Sequence, residues 1–394
     1  MKVIYTPEMK AGRVRPIRSW CMEPEAGAIE QAAHVAALPF THNHVALLPD
    51  THQGYGMPIG GVAGLLNAVV PFMVGVDIGC GMRAVRTDVR FDQLNADMLR
   101  HAMGEVRKRI PLGFGHHAEV PNLAHMPALP DKKLCPIAYA QYDRATRSLG
   151  TLGGGNHFIE IQKDEEGYVW IMIHSGSRNL GKTICDYYHA IADNLAVKFN
   201  SATPKAWKLA HLPADSAEGI AYVAEMNFAL EFAKANRQDM MEAAVVSLST
   251  VSQPKITFEV DIHHNYAALE HHYGENVWVH RKGATAARLD EIGIIPGSQG
   301  TASYIVAGLG NPLSFQSCSH GAGRAMSRSA ATKNLVLADE IKKLDDQGIV
   351  HSIRNQKDLD EAAGSYKDIS VVMAEQADLV RIVHTLRPMA VVKG

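Results

Sequence analysis

Residues Val69–Val89 read VVPFMVGVDIGCGMRAVRTDV. Two apolar runs, Val69–Val76 and Met82–Val89, flank the turn Asp77-Ile78-Gly79-Cys80-Gly81. Short runs rich in β-branched and apolar residues, bounded by glycine, predict two strands meeting at a tight turn. That turn holds a carboxylate and a thiol among small neighbours. Strand ends are rigid and glycines let a ligand approach, so such a turn can present side chains to a shared site.

Outward from this stretch the same construction recurs. It is found at Asp50-Thr51-His52-Gln53-Gly54, Gly153-Gly154-Gly155-Asn156-His157, His174-Ser175-Gly176-Ser177-Arg178, Asp261-Ile262-His263-His264-Asn265 and His320-Gly321-Ala322-Gly323-Arg324. Further strands are predicted over Asn43–Leu48, Val169–Ile173 and Lys255–Ile262. Helices are predicted over Glu25–Leu38, Asp92–Arg109, Gly181–Phe199 and Glu218–Leu248, and near Gly323–Ala331, Leu335–Leu344 and Asp368–Gln376. In Glu218–Leu248, Met226, Leu230 and Ala233 form one stripe and Phe228, Phe232 and Ala235 the next, the spacing of a core helix. Ile110–Pro136 is a Pro-, His- and Gly-rich loop, long enough for a lid or surface insertion. Helices and strands mix without regular alternation. The expectation is an α/β or α+β fold, and not a Rossmann sheet or a TIM barrel.

No linker, charge block, low-complexity tract or solenoid repeat divides the 394 residues, so a single large compact domain over 1–394 is expected. A net charge of -2 gives no global attraction to nucleic acid, so an RNA partner needs a local basic patch. The opening MKVIYTPEMKAGRVRPI has no apolar signal core. The apolar stretch Gly60–Val76 is interrupted by Asn67 and Pro71, so no membrane span is expected. Five cysteines (21, 80, 135, 185 and 318) form no framework and read as reduced thiols of a cytoplasmic protein.

Asp77, Cys80, His157, His174 and His264 make a credible ligand set. One carboxylate, one thiolate and three imidazoles exceed what a single tetrahedral ion needs, and a thiolate can bridge two ions. Ligand softness alone suggests zinc or iron. Each residue by itself also fits a plain structural role, Cys80 as a small turn residue and each histidine as a hydrogen-bonded strand end. Recurrence of one context favours convergence. His116-His117 and His271-His272, the latter after a helical stretch, read as solvated pairs. His320 opens a Gly-rich loop leading toward a helix, where an imidazole could attack a phosphate, although Gly321 and Gly323 also suit a simple tight turn. Pro296-Gly297-Ser298-Gln299-Gly300-Thr301 is a second loop suited to phosphate. No Walker-A loop is present. Arg178, Arg281, Lys282, Arg324 and Arg328 lie beside these loops, and Arg178 and Arg281 are the candidates for RNA phosphate.

On these residues the chain resembles the RtcB family of RNA-splicing ligases. The matching blocks are PDTHQGYGMPIGGVA, GVDIGCGM, GGGNHFIE, HSGSRNLG, HHNY, RKGA, IIPGSQGTAS, HGAGRAMSR, YKDI at Tyr366 and the terminal VKG. The resemblance implies an RtcB-like fold and an enzyme that joins 3′-phosphate or 2′,3′-cyclic-phosphate RNA ends to 5′-hydroxyl ends. It implies two Mn²⁺ ions on Asp77, Cys80, His157, His174 and His264, with Cys80 bridging, and GTP as the source of a guanylate carried by His320. The guanylate pocket it implies comprises Asn156, Glu160, Pro296, Gly297, Ser298, Gln299, Ser303, Gly321, Ala322, Gly323 and Lys393, with Tyr366 at the base. Asp50 matches a functionally sensitive position to which the resemblance assigns no role. Asn179 stands where the family has glycine and Gln299 where methionine is frequent. The sequence names no activating protein partner. Two rival readings use the same residues: a metal-dependent phosphoesterase without nucleotide transfer, and a non-catalytic RNA-binding protein.

Overall fold

Backbone pairing sorts most strands into two large sheets, seen in a computed structural model that describes residues 1–4 and 14–394. Part of the opening stretch read as lacking a signal core falls on 5–13, outside the described residues. One sheet runs Lys2–Ile4, Ile17–Ser19, Thr41–His52, Ile59–Leu65, Glu275–Lys282, Asn265–His272 from edge to edge. The other runs Ile256–His263, Gly81–Arg90, Tyr168–Ser175, Phe158–Lys163, Val380–Lys393, Ser303–Gly308, Ile292–Ile295. Among the described strands, only Ile17–Ser19 and Thr41–His52 pair in parallel. A Rossmann sheet or TIM barrel needs parallel strands joined by helical crossovers, so the expected mixed fold outside both classes holds.

The seven-stranded sheet is covered on both faces. Val85, Ile159, Ile171 and Ile173 pack with Leu99, Met103, Met240 and Leu248 from the helices Ala96–Arg109 and Ala217–Leu248. Met82, Trp170, Met172 and Ile305 point the other way and pack with Leu344, Ile349 and Leu359. Burial on both faces is why Val169–Ile173 reads as one unbroken apolar run. The helix Ala217–Leu248 extends into a second cluster, where Met226 and Phe232 meet Ile78, Leu180 and Tyr188. Its stripes are therefore core, as their spacing predicts.

Several local expectations change. Val69–Val76 is not a strand: Ala68–Val69 is a short one, and Pro71 begins a single helical turn, Pro71–Val74. Proline at the first helical position has φ preset and loses no needed donor. The helix predicted from Gly323 begins only at Arg328, capped by the Ser327 hydroxyl, which accepts from the Ala330 N–H at 3.2 Å. His320 is thus not at a helix N-terminus. His271 and His272 end the strand Asn265–His272, and His272 is buried against Glu270 rather than solvated. All five cysteines are free and buried. No described helix is long and apolar enough to cross a membrane.

Candidate active site

Sheet register explains why residues far apart in sequence meet. Gly81 is paired with His263 on one neighbour and Ser175 on the other, and His174 is paired with Phe158. Cys80, His157, His174 and His264 therefore leave adjacent strand ends at one edge of the sheet. The Cys80 sulfur lies 3.5 Å from His157 Nε2 and 3.3 Å from His174 Nε2. Asp77 Oδ2 is 3.2 Å from His157 Nε2, and His174 Nε2 is 3.3 Å from His264 Nε2. Contacts thus pair Asp77 with His157 and His174 with His264, and the sulfur touches one member of each pair.

These separations suit bound cations. Around one tetrahedral ion, two imidazole nitrogens sit about 3.4 Å apart, and a thiolate and an imidazole about 3.6 Å. Tautomers are set accordingly: His157 Nδ1–H donates to the Leu152 carbonyl at 2.9 Å and His174 Nδ1–H to that of Asn156 at 3.0 Å. Each Nε2 lone pair then faces the sulfur. His264 Nδ1 is buried with no partner among the described residues. Burial, reinforced by neighbouring histidines, holds His174 and His264 well below the usual imidazole range, which keeps them in the neutral ligand form. Burial and the Asp77 charge push the Cys80 thiol well up. Burial alone would also raise Asp77, but the hydrogen bond and charge of His157 hold it below its usual value. For the buried Cys80 to ionise beside the Asp77 carboxylate, positive charge must stand between them. The donor set fits a metal.

Glycines make room for this. Gly176 lies so close to Asp77 that a Cβ would stand 2.3 Å from Oδ1, and at Gly153 (φ +93°) a Cβ would meet Arg178 Nη1 at 2.1 Å and His157 Nδ1 at 2.5 Å. Beneath the turns, Arg237 of the long helix donates through Nη1 to the carbonyls of Gly79 (3.0 Å) and Ser175 (3.1 Å), and through Nε and Nη2 to Asp261. Its neighbour Asn236 donates to the carbonyls of Thr151 and Gly176.

His320 follows the short strand Ser317–Ser319, and its ring centroid is 4.8 Å from that of His264. Its Nδ1–H donates to Asp50 Oδ2 at 2.6 Å, and its backbone N–H reaches the same oxygen at 3.0 Å. An acceptor on Nδ1 leaves Nε2 with the free lone pair. Asp50, fully buried on Thr41–His52, thus gains the orienting role that sequence could not supply.

His320 opens onto a cavity of about 920 Å³ lined also by Asn156, Glu160, His174, Pro296, Gly297, Ser298, Gln299, Gly321, Ala322, Gly323, Tyr366 and Lys393. Ser303 stands behind this wall, where its hydroxyl accepts from the Gly297 N–H at 3.2 Å. Gln299 donates through Nε2 to the Glu361 carbonyl at 2.9 Å, so it braces its loop. Asn179, the other departure, begins a helix and donates to the Thr183 hydroxyl at 3.1 Å. Burial pushes Glu160 up to about 7, against a hydrogen bond from Gln162 and the nearby charge of Lys393.

The two arginines separate. Arg178 stays beside the centre: Nε donates to the Thr151 hydroxyl at 3.0 Å and Nη2 to the Gly113 carbonyl at 2.8 Å. Arg281 is withdrawn from any RNA phosphate. It is fully buried and its fork is engaged by Glu270, at 2.6 and 3.0 Å. Lys282 is likewise committed to carbonyls, those of Met57 and Phe72 among them. Sequence reasoning missed Glu361, which gathers Arg324 Nη1 (3.0 Å), Arg328 Nε (2.7 Å) and the Tyr366 hydroxyl at the cavity wall. It also missed Arg237, although two polar residues on an apolar helical stripe were a legible signal.

A histidine held by a buried aspartate, a cluster of soft and hard ligands beside it and an adjoining cavity are the parts of an enzyme's active site. The family model described as tRNA-splicing ligase RtcB matches residues 31–129 and 127–394. The chain is 38% identical to the RNA-splicing ligase RtcB of Escherichia coli (strain K12), over 96% of this chain and 97% of that protein. It is 33% identical to the tRNA-splicing ligase RtcB of Thermococcus kodakarensis, over 93% and 91%, and 31% identical to that of Archaeoglobus fulgidus, over 94% and 92%. The chain belongs to the RtcB family of RNA-splicing ligases.

Proposed function

We propose that this chain is a GTP-dependent RNA ligase that joins 3′-phosphate or 2′,3′-cyclic-phosphate ends to 5′-hydroxyl ends, in RNA repair or tRNA splicing. The observation that carries this reading is the Asp50–His320 pair, with the His320 ring against His264 and on the cavity wall. A 3′-phosphate has no good leaving group for a 5′-hydroxyl to displace, so it must be activated first. His320 Nε2 attacks the α-phosphorus of GTP; a P–N bond forms as the P–O bond to pyrophosphate breaks. An oxygen of the RNA 3′-phosphate then takes the guanylate, breaking the P–N bond. The 5′-hydroxyl oxygen attacks the activated 3′-phosphorus and GMP departs. A cyclic phosphate is first hydrolysed to the 3′-phosphate.

Asp77, Cys80, His157, His174 and His264 would hold two Mn²⁺ ions, which supply charge neutralisation at the phosphoryl oxygens. Asp50 keeps the imidazole in the right tautomer and stabilises positive charge on it as the bond forms. Arg178 is the arginine placed to meet RNA phosphate. The pocket draws on both large sheets, through His52 and Ile59 on one and Glu160 and Lys393 on the other, which supports a single domain over 1–394. Five unpaired thiols support a cytoplasmic setting.

Incubation with GTP labelled at the α-phosphate and Mn²⁺ tests the reading. An acid-labile adduct mapping to residue 320 is expected. Cleavage of phosphoesters with no adduct would establish the phosphoesterase instead.

Guanine recognition gives a pH dependence. Glu160 as a carboxylate can accept from the N–H groups of guanine's pairing edge, and as an acid it cannot accept both. Its value of about 7 means that GTP binding is intact at pH 8 and weakens as pH falls through 7. Lowering pH from 8 to 6 should raise the Kd for GTP about tenfold, one tenfold step per unit below the titration point. Glu160→Gln should flatten that profile. An equally steep profile in the variant would remove Glu160 from the base site.

A further inference from the structure

Residues 111–135 contain neither helix nor strand, yet they pass beside the long helix Ala217–Leu248. His125 on this stretch places Nδ1 against Asp239 Oδ1 and Nε2 3.4 Å from Glu242 Oε1. Asp239 and Glu242 are three residues apart on the helix and share a face. One ligand atom from each of the three residues lies within 4.8 Å of the other two. Two carboxylate charges converge on this one ring, and a cation held by one ring nitrogen and an oxygen of each carboxylate offsets them.

We propose that His125, Asp239 and Glu242 form a second metal site, separate from the Cys80 centre, for one zinc-class divalent ion. One imidazole and two carboxylates supply three donors of suitable hardness and charge, and water completes a four-coordinate shell. The ion clips the 111–135 stretch to the helix, doing for a segment with little core of its own what apolar packing does elsewhere. The stretch also carries Gly113, whose N–H donates to the Gly153 carbonyl at 3.1 Å and whose carbonyl receives Arg178. Loading the clip therefore braces one wall of the catalytic centre.

The test is metal counting on the full chain, stripped with chelator and dialysed against micromolar ZnCl₂. Elemental analysis should find one zinc fewer per chain in His125→Ala than in the parent. The same loss is expected for Glu242→Gln, an isosteric change on an exposed helix face that spares the fold. The difference of one zinc should persist between Cys80→Ala and Cys80→Ala/Glu242→Gln, which separates this site from the catalytic one. Zinc should also slow proteolytic cutting within 111–135 in the parent and in Cys80→Ala, and not in the His125 or Glu242 variants. Equal zinc content in parent and variants, or cutting indifferent to zinc in the parent, would overturn the proposal.

Discussion

His320→Ala abolishes both the protein-bound guanylate and RNA joining while leaving the metal content of the Cys80 centre near that of the parent. On the proposed mechanism the nucleophile is lost outright. His174 and His264 point their Nε2 atoms at each other across 3.3 Å, and their rings are buried. Loss of a covalent nucleophile typically costs at least about 10⁴-fold in rate, so ligation should fall below detection. The Asp50 contact allows the variant to be interpreted. Asp50→Asn retains the imidazole but not the carboxylate that fixes it, so it should form the adduct slowly rather than not at all. Labelling of His320→Ala with α-labelled GTP measures this directly. Adduct at the parental level would move the nucleophile elsewhere.

Cys80→Ala is the second large effect, and it acts through the ions. The sulfur is the one atom in contact with a member of both ligand pairs, His157 on one side and His174 on the other. Removing it takes a donor from each half of the centre at once. Removing a group that merely orients a ligand costs about 10–100-fold in metal affinity, so loss of a shared donor costs at least the upper end of that range. Bound Mn²⁺, measured by elemental analysis after dialysis, should drop for the whole centre and ligation should vanish with it. Retention of parental Mn²⁺ would show that the sulfur is not a ligand. The two variants divide the chemistry cleanly: one keeps ions without a nucleophile, the other a nucleophile without ions.

Much of this arrangement was legible because it is built locally. Glycine turns beside apolar runs mark strand ends, and strand ends are where Cys80, His157, His174 and His264 reside, with Asp77 in the turn just before Cys80. What the chain could not display was partnership across distance. Asp50 and His320 are 270 residues apart, and only the folded sheets bring them to 2.6 Å. Arg281 looked free beside its glycine, but Glu270 on the adjacent strand, four residues along the ladder from Tyr266, the residue opposite Arg281, closes on its guanidinium through the length of both side chains. Pro71 was read through as part of a strand because flanking valines outweighed it, although its fixed φ suits the start of a helical turn. At Gly323 the helix was begun too early, since the cap that starts it is Ser327.

The guanidinium of Arg237 carries one more implication. By holding the carbonyls of Gly79 and Ser175 on a single planar fork, it fixes the bite between the Cys80 turn and the His174 strand end before any ion arrives. A cage with a preset bite selects by ionic radius instead of adapting to its guest. Arg237→Lys retains the positive charge and loses the fork, so it should narrow the gap between the affinities for Mn²⁺ and the smaller Zn²⁺. A ratio unchanged by that substitution would assign the choice to the donor atoms alone.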